Sequence, residues 1–441
     1  MNKLFYLFFF FTLITVAQPV YHPISKAPDS KKEMFINQLK HNYELKIDEI
    51  SDKYSGKKRK FLKNLYQSQL DRLLINIEKG ELYFNRPNKQ YLQKILDEII
   101  QNNSSFIKKR KFFIDFSRNT SPNAYSVGDG TLIIHLNLLN YLKTEDELAG
   151  IIAHEISHDL LKHRDKSYEN LTNKLFSKEF KEAQKKVFRN RYGQQERAEE
   201  LLKGTVYSRK HKSRKQEYEA DSLGLILLAN TRYNIDAPIK SLYILDSVDT
   251  EKDSINIALL KKLFTTEHQK FNEDWLFQED FSDYTYIKDK NWNQDSLKTH
   301  PDCKNRIIKL ENIKKKLAQA HTSNFSVDAG KFDELKKIST YETIYNHYFF
   351  KEYGIGLYQT MKALAKHPDD SFYLKMFSLF LDKLSEAKKE MALNRYIPSI
   401  DPPNQSKSFQ LFINFINNLT GKEWERITND YRNKTKNINI K

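Results

Sequence analysis

The chain has 441 residues, 73 of them Lys or Arg against 57 Asp or Glu, a formal net charge of +16 and a single cysteine. A mean hydropathy of −0.70 excludes a polytopic membrane protein, and Cys303 alone excludes an intrachain disulfide framework. The lysines are spread along helical segments without an aromatic-basic module, so the charge reads as a solvated basic surface. It points away from nucleic acid and leaves anionic membrane surfaces as peripheral partners.

Residues 1–17 place Lys3 before an apolar run that ends in the small residues Thr15 and Ala17. This is a secretory signal pattern, too short for a comfortable span. It predicts an exported protein, periplasmic or secreted, with no integral membrane span once the signal is removed; an uncleaved N-terminal anchor is the alternative. Residues 18–103 form a connector with Pro19, Pro23 and Pro28, then amphipathic helices that pack on the following domain. A turn is expected at 81–88 around Pro87, with a helix from 89 to about 100.

At Lys111 the period changes. FFIDFS reads as a strand, Asn119 to Pro122 as a turn, residues 123–127 as a second strand, and TLIIHLNLL, after Gly128-Asp-Gly130, as a third. Such a strand either pairs with an extended substrate backbone or merely supports the next helix. Thr144-Glu-Asp-Glu147 is a capping box that starts that helix. Within it, residues 151–163 read IIAHEISHDLLKH. Spacing of four stacks His154 and His158 on one face, where two imidazoles can share one metal ion, and Glu155 stands beside it as a general base for amide hydrolysis. The bland alternative is an exposed helix carrying these residues by accident.

Residues 164–212 are basic and helical, either an arm that gates the site or a solvated connector. A second helix is expected to open at Ser213. A catalytic zinc needs a third protein ligand, and Glu217 and Asp221 lie four apart on one face while Glu219 points to the other side. Glu217 is therefore assigned to the metal. Asp221 is placed to accept from a ligating histidine's second nitrogen.

Taken together, Asn123-Ala-Tyr125 through Gly130, Glu145 to Gly150 leading into His154-Glu-Ile-Ser-His158, Ser213-Arg214 with Glu217 and Ala220-Asp221, and Thr299-His300-Pro301 with Arg306-Ile307 resemble a known pattern. It is that of the zinc metallopeptidases of the HtpX and CAAX prenyl protease family, which includes BepA and the mitochondrial protease Oma. The resemblance covers about residues 105–320. It implies a gluzincin fold, one Zn2+ per chain, Glu155 as base, Glu217 as third ligand, and His300 on the open coordination side to stabilise the oxyanion. It also suggests that Arg214 orients Glu217 or contacts substrate. The membrane helices of HtpX and the prenyl proteases are missing, which makes a soluble exported member the nearer kind.

Beyond the second helix, the aromatic segment from Trp275 to Trp292 is expected to pack on the catalytic core or line a cleft. A helix from 305 to 321 closes a peptidase domain assigned to 104–321, and 322–330 reads as a linker. Residues 331–441 form a helical domain. Its hairpin at 358–388, broken at Pro368-Asp-Asp370, resembles one unit of a repeat without a secure second copy, and a last helix is expected near 409–419. The fold class is α+β, predominantly helical, with a small sheet beside the metal helix. The expected function is an exported zinc metalloendopeptidase acting on unfolded or misassembled envelope polypeptides. The competing reading is a zinc-switched chaperone or binding protein.

Overall fold

Alternation of apolar side chains along one short strand explains how the layers stack. The computed structural model describes residues 20–107, 110–189, 194–248, 255–277, 303–317, 321–401 and 405–440. Residues 1–17, the expected signal, and His300 lie outside the described residues. Three N-terminal helices, α1 (Asp29–Lys53), α2 (Gly56–Glu78) and α3 (Arg86–Gln101), precede a short α4 (Ser104–Ile107) and the strands β1 (Phe113–Ser117), β2 (Ala124–Ser126) and β3 (Thr131–His135). The strand order is β1-β3-β2, with β1 parallel and β2 antiparallel to the central β3. β3 is buried along its whole length. Leu132 and Ile134 face the core that contains α3, whereas Ile133 faces Phe35 and Leu39 of α1 and Leu73 of α2.

Several boundaries differ from the sequence expectation. Pro87 sits in the first turn of α3 rather than in a turn before it, because Asn85 caps the helix by accepting from Asn88 N at 3.2 Å and proline needs no partner there. β3 stops at His135, and Leu136–Asn140 continues as a 3-10 helix; both are apolar, so composition does not separate them.

Next come α5 (Glu145–Leu160), α6 (His163–Leu175), α7 (Lys178–Arg189) and α8 (Gln194–Ala229). Thr144 caps α5 by accepting from Glu147 N at 3.4 Å, but Glu147 reaches back one residue further than in a capping box, to Lys143 N at 2.6 Å. The helix expected to open at Ser213 runs unbroken from Gln194 for 36 residues. No proline interrupts it.

The chain continues through α9 (Ala237–Val248), α10 (Ile257–Phe264) and α11 (Cys303–Lys314) to α12 (Ala329–Phe349), α13 (Tyr353–Lys366), α14 (Ser371–Lys389), α15 (Lys407–Asn418) and α16 (Gly421–Thr435). α16 is one helix more than expected, started by a complete capping box between Thr420 and Glu423. Leu260, Phe264 and Trp275 are buried with Phe377, Phe415 and Trp424. The aromatic segment near Trp275 therefore packs on the C-terminal helices; Trp292 lies outside the described residues.

The sheet layer and the C-terminal helices are joined by buried polar groups rather than by apolar contact alone. Glu342 of α12 is fully buried and pairs with the equally buried Arg118 at 3.2 Å. It also accepts from Tyr21 Oη at 2.7 Å, Tyr83 Oη at 2.8 Å and Ile24 N at 2.7 Å. A buried ion pair is stable only when most of its remaining hydrogen-bonding groups are met; here the Glu342 oxygens and both terminal nitrogens of Arg118 have partners, while Arg118 Nε has none. Replacing Glu342 by Leu should therefore cost about 3–5 kcal/mol in urea unfolding, because the guanidinium is stranded. Removing Lys94 from its exposed pair with Asp328 should leave the urea midpoint nearly unmoved.

Candidate metal centre

Helical spacing brings His154 and His158 of α5 onto one face, with their Nε2 atoms 3.0 Å apart. α8 crosses α5 at the same level because Gly224 has no side chain: a Cβ there would lie 3.1 Å from both Cα and N of His154. Two turns earlier on α8, Glu217 delivers its carboxylate, with Oε2 3.6 Å from His154 Nε2 and Oε1 3.5 Å from His158 Nε2. Ligand atoms bonded at 2.0–2.2 Å to one tetrahedral ion stand about 3.4 Å apart. The three groups therefore fit a zinc ion without rearrangement. Among the described residues they form the cluster of His, Cys, Asp or Glu able to hold a metal ion.

Behind the ligands, Asp221 Oδ1 lies 3.0 Å from His154 Nδ1. Its carboxylate is gripped by Arg306 of α11, through Nε at 2.6 Å and Nη2 at 2.7 Å, while Arg306 Nη1 lies 3.3 Å from Glu217 Oε2. Arg306 is 3% exposed, so the pairing acts in a low dielectric. Burial alone would push Glu217 and Asp221 up; instead His154 and Arg306 hold both carboxyls below their ordinary values. Burial likewise opposes charge on His154, but the hydrogen bonds it donates to Asp221 and Glu217 outweigh it and raise its pKa to about 10. His158 is driven down to about 3, first by burial and then by the charge on His154. Without metal, one proton on His154 therefore stands where a cation would be held.

Glu155 faces the same space. Burial, with the neighbouring Glu217 charge adding to it, pushes its carboxyl up to about 7 against the pull of His154, and its Oε2 accepts from Ser126 N at 2.8 Å. It lines a cavity of about 370 Å3 together with Ala124, His154, His158, Glu217 and Asp221.

Five of the residues singled out in the sequence thus meet in one place. Arg214 is partly buried, one turn before Glu217, and does not line the cavity; the cation against Glu217 is Arg306. That arginine was legible as part of a motif but not in its role, since its partner lies 85 positions away. Glu219, expected on the side of the helix away from Glu217 and Asp221, is not part of the cluster but has a partner of its own. Its Oε2 lies 3.1 Å from His163 Nε2, because α6 folds back along α8.

The model of peptidase family M48 matches residues 86–314. The chain belongs to peptidase family M48. The M48 region spans every described residue of the cluster. The chain is also similar to the beta-barrel assembly-enhancing protease of Yersinia pestis, with 31% identity over 74 residues, 17% of this chain and 15% of that protein. The match thus spans well under a quarter of the relative's length.

The proton on His154 gives the M48 site a pH signature. Metal binding must displace that proton, so the gain from binding is undercut as pH falls below about 10. Zinc titrated at pH 7 should release about one proton per site, read from how the calorimetric enthalpy varies with buffer ionisation heat, and affinity should rise from pH 6 to 8.

Proposed function

We propose that this M48 protein is an exported zinc metalloendopeptidase that holds one Zn2+ on His154, His158 and Glu217 and cleaves unfolded or misassembled envelope polypeptides. The convergence of these three side chains from two helices is the observation that carries the reading. When bound, zinc supplies the Lewis acidity that polarises a scissile carbonyl and activates water.

The remaining work falls to the chain. Glu155 accepts the proton of the attacking water and passes it to the leaving amine; burial, which raises its carboxyl, makes it a stronger base than an exposed glutamate. Ser126 N–H holds the carboxylate in place. Asp221 keeps His154 in the tautomer that presents Nε2. His300, outside the described residues, is the candidate donor to the tetrahedral oxygen.

Substrate alignment follows from the register of the sheet. Val127 N donates to Thr131 O and His135 N donates to Asn123 O, so residues 123, 125 and 127 of the β2 segment face β3 while 124 and 126 face away from it. At Ser126 both outward groups are engaged, the N–H by Glu155 and the carbonyl by Arg164 Nη2 at 3.0 Å. Ala124, which lines the cavity, offers its N–H and C=O to an extended peptide.

Support for export comes from the leader at residues 1–17, and no helix among the described residues is long and apolar enough to cross a membrane. The name of the Yersinia relative ties that protein to β-barrel assembly, which motivates envelope polypeptides as substrates here. Purified protein should cleave casein and lose that activity to a chelator. Glu155→Gln should keep its zinc and lose about a hundredfold or more in turnover. Zinc binding without chelator-sensitive cleavage would favour the binding-protein reading.

A further inference from the structure

Among the groups that the proposed mechanism does not use, His163 stands out. It is 3% exposed, and each of its ring nitrogens has a partner in line. Nδ1 lies 2.9 Å from Nδ1 of His158, and Nε2 lies 3.1 Å from Oε2 of Glu219. In an unbroken helix, residue 163 would project about 140° away from His158. The chain avoids this by leaving the helix at Lys162, which adopts a left-handed conformation with φ 52°. His163 then opens α6 and turns back toward the site. The new helix is pinned to α8 by Gln216, whose Nε2 donates to the His163 carbonyl at 3.1 Å and whose Oε1 accepts from Ser167 Oγ at 3.1 Å.

Hydrogen-bond bookkeeping then settles where each proton sits. His158 Nε2 is the atom that faces Glu217 and His154, so a metal held there leaves His158 with its hydrogen on Nδ1. That N–H points at His163 Nδ1, which must be bare to accept it. His163 therefore carries its own hydrogen on Nε2 and donates it to Glu219. We infer that His163 and Glu219 are positioning residues for the second metal ligand, an imidazole-extended counterpart of the direct Asp221–His154 contact.

The two histidine ligands are thus oriented differently: His154 rests on a carboxylate, and His158 reaches one only through a second ring. The inference rests on the zinc reading of the proposed function, and the test separates the two. Zinc affinity is measured by competition with a chromophoric chelator on the full chain and on three variants. His163→Leu, which fills the space but accepts nothing, should weaken zinc about 10–100-fold. His163→Asn, whose Oδ1 takes the place of the bare Nδ1, should stay within about threefold of the parent. Glu219→Ala, at a side chain 38% exposed, should lose several-fold while leaving the fold intact.

Rescue by Asn is what a merely space-filling His163 would not show. Should His163→Leu not fold, the Asn variant and Glu219→Ala decide. Unchanged affinity in His163→Leu and Glu219→Ala, or an Asn variant as weak as the Leu one, overturns the relay while the zinc site stands. A parent protein that takes up no stoichiometric zinc overturns both.

Discussion

The close crossing of α5 and α8 at Gly224 is the constraint on which the site depends. It lets two imidazoles and a carboxylate from sequence positions about sixty residues apart share one point in space, with backbone against backbone at His154. The same crossing creates an electrostatic problem. Glu217 and Asp221 lie one turn apart on one helix face, where like charges repel, and both are withdrawn from solvent. Arg306, delivered from α11, answers it by gripping Asp221 with two donors and touching Glu217 with a third nitrogen. The guanidinium thus offsets the repulsion between the two carboxylates, so that Glu217 can face the two imidazoles while Asp221 stays against His154 Nδ1.

The rest of the fold keeps that crossing in place. α5 is fixed at its start by Glu145, which accepts from Tyr91 Oη at 3.0 Å, Tyr233 Oη at 2.9 Å and Val327 N at 2.7 Å. Its N-terminal position also suits a buried carboxylate, since the helix dipole favours negative charge there. Through Val327 the segment before α12 is fastened to α5, and through Glu342 α12 is fastened to Tyr21 and Ile24. Residues 21–24 and α12 are therefore coupled to α5 through buried polar contacts, each costly to strip of its partner.

What was legible in the sequence was what depends on local spacing. The cap at Thr144, the four-residue histidine interval and the pairing of Glu217 with Asp221 on one face follow from helix geometry alone. The three strands were marked by their composition and turns. The rest needed the third dimension. Arg306 was marked only as part of the motif that follows Thr299-His300-Pro301, and its role appears only when α11 meets α8. His163 stood in plain view five residues after His158, yet helical periodicity sends it the wrong way; only the left-handed Lys162 redirects it. The burial of Trp275 with Phe415 joins segments far apart in the chain that no periodicity could connect.

The most direct test of the central claim is a crystal structure with anomalous data collected on both sides of the zinc absorption edge. The account predicts one zinc peak per chain, bonded to Nε2 of His154, Nε2 of His158 and a carboxylate oxygen of Glu217 at about 2.0–2.2 Å. A peak elsewhere, or zinc held by the two histidines with Glu217 turned away to Arg306 alone, would contradict it.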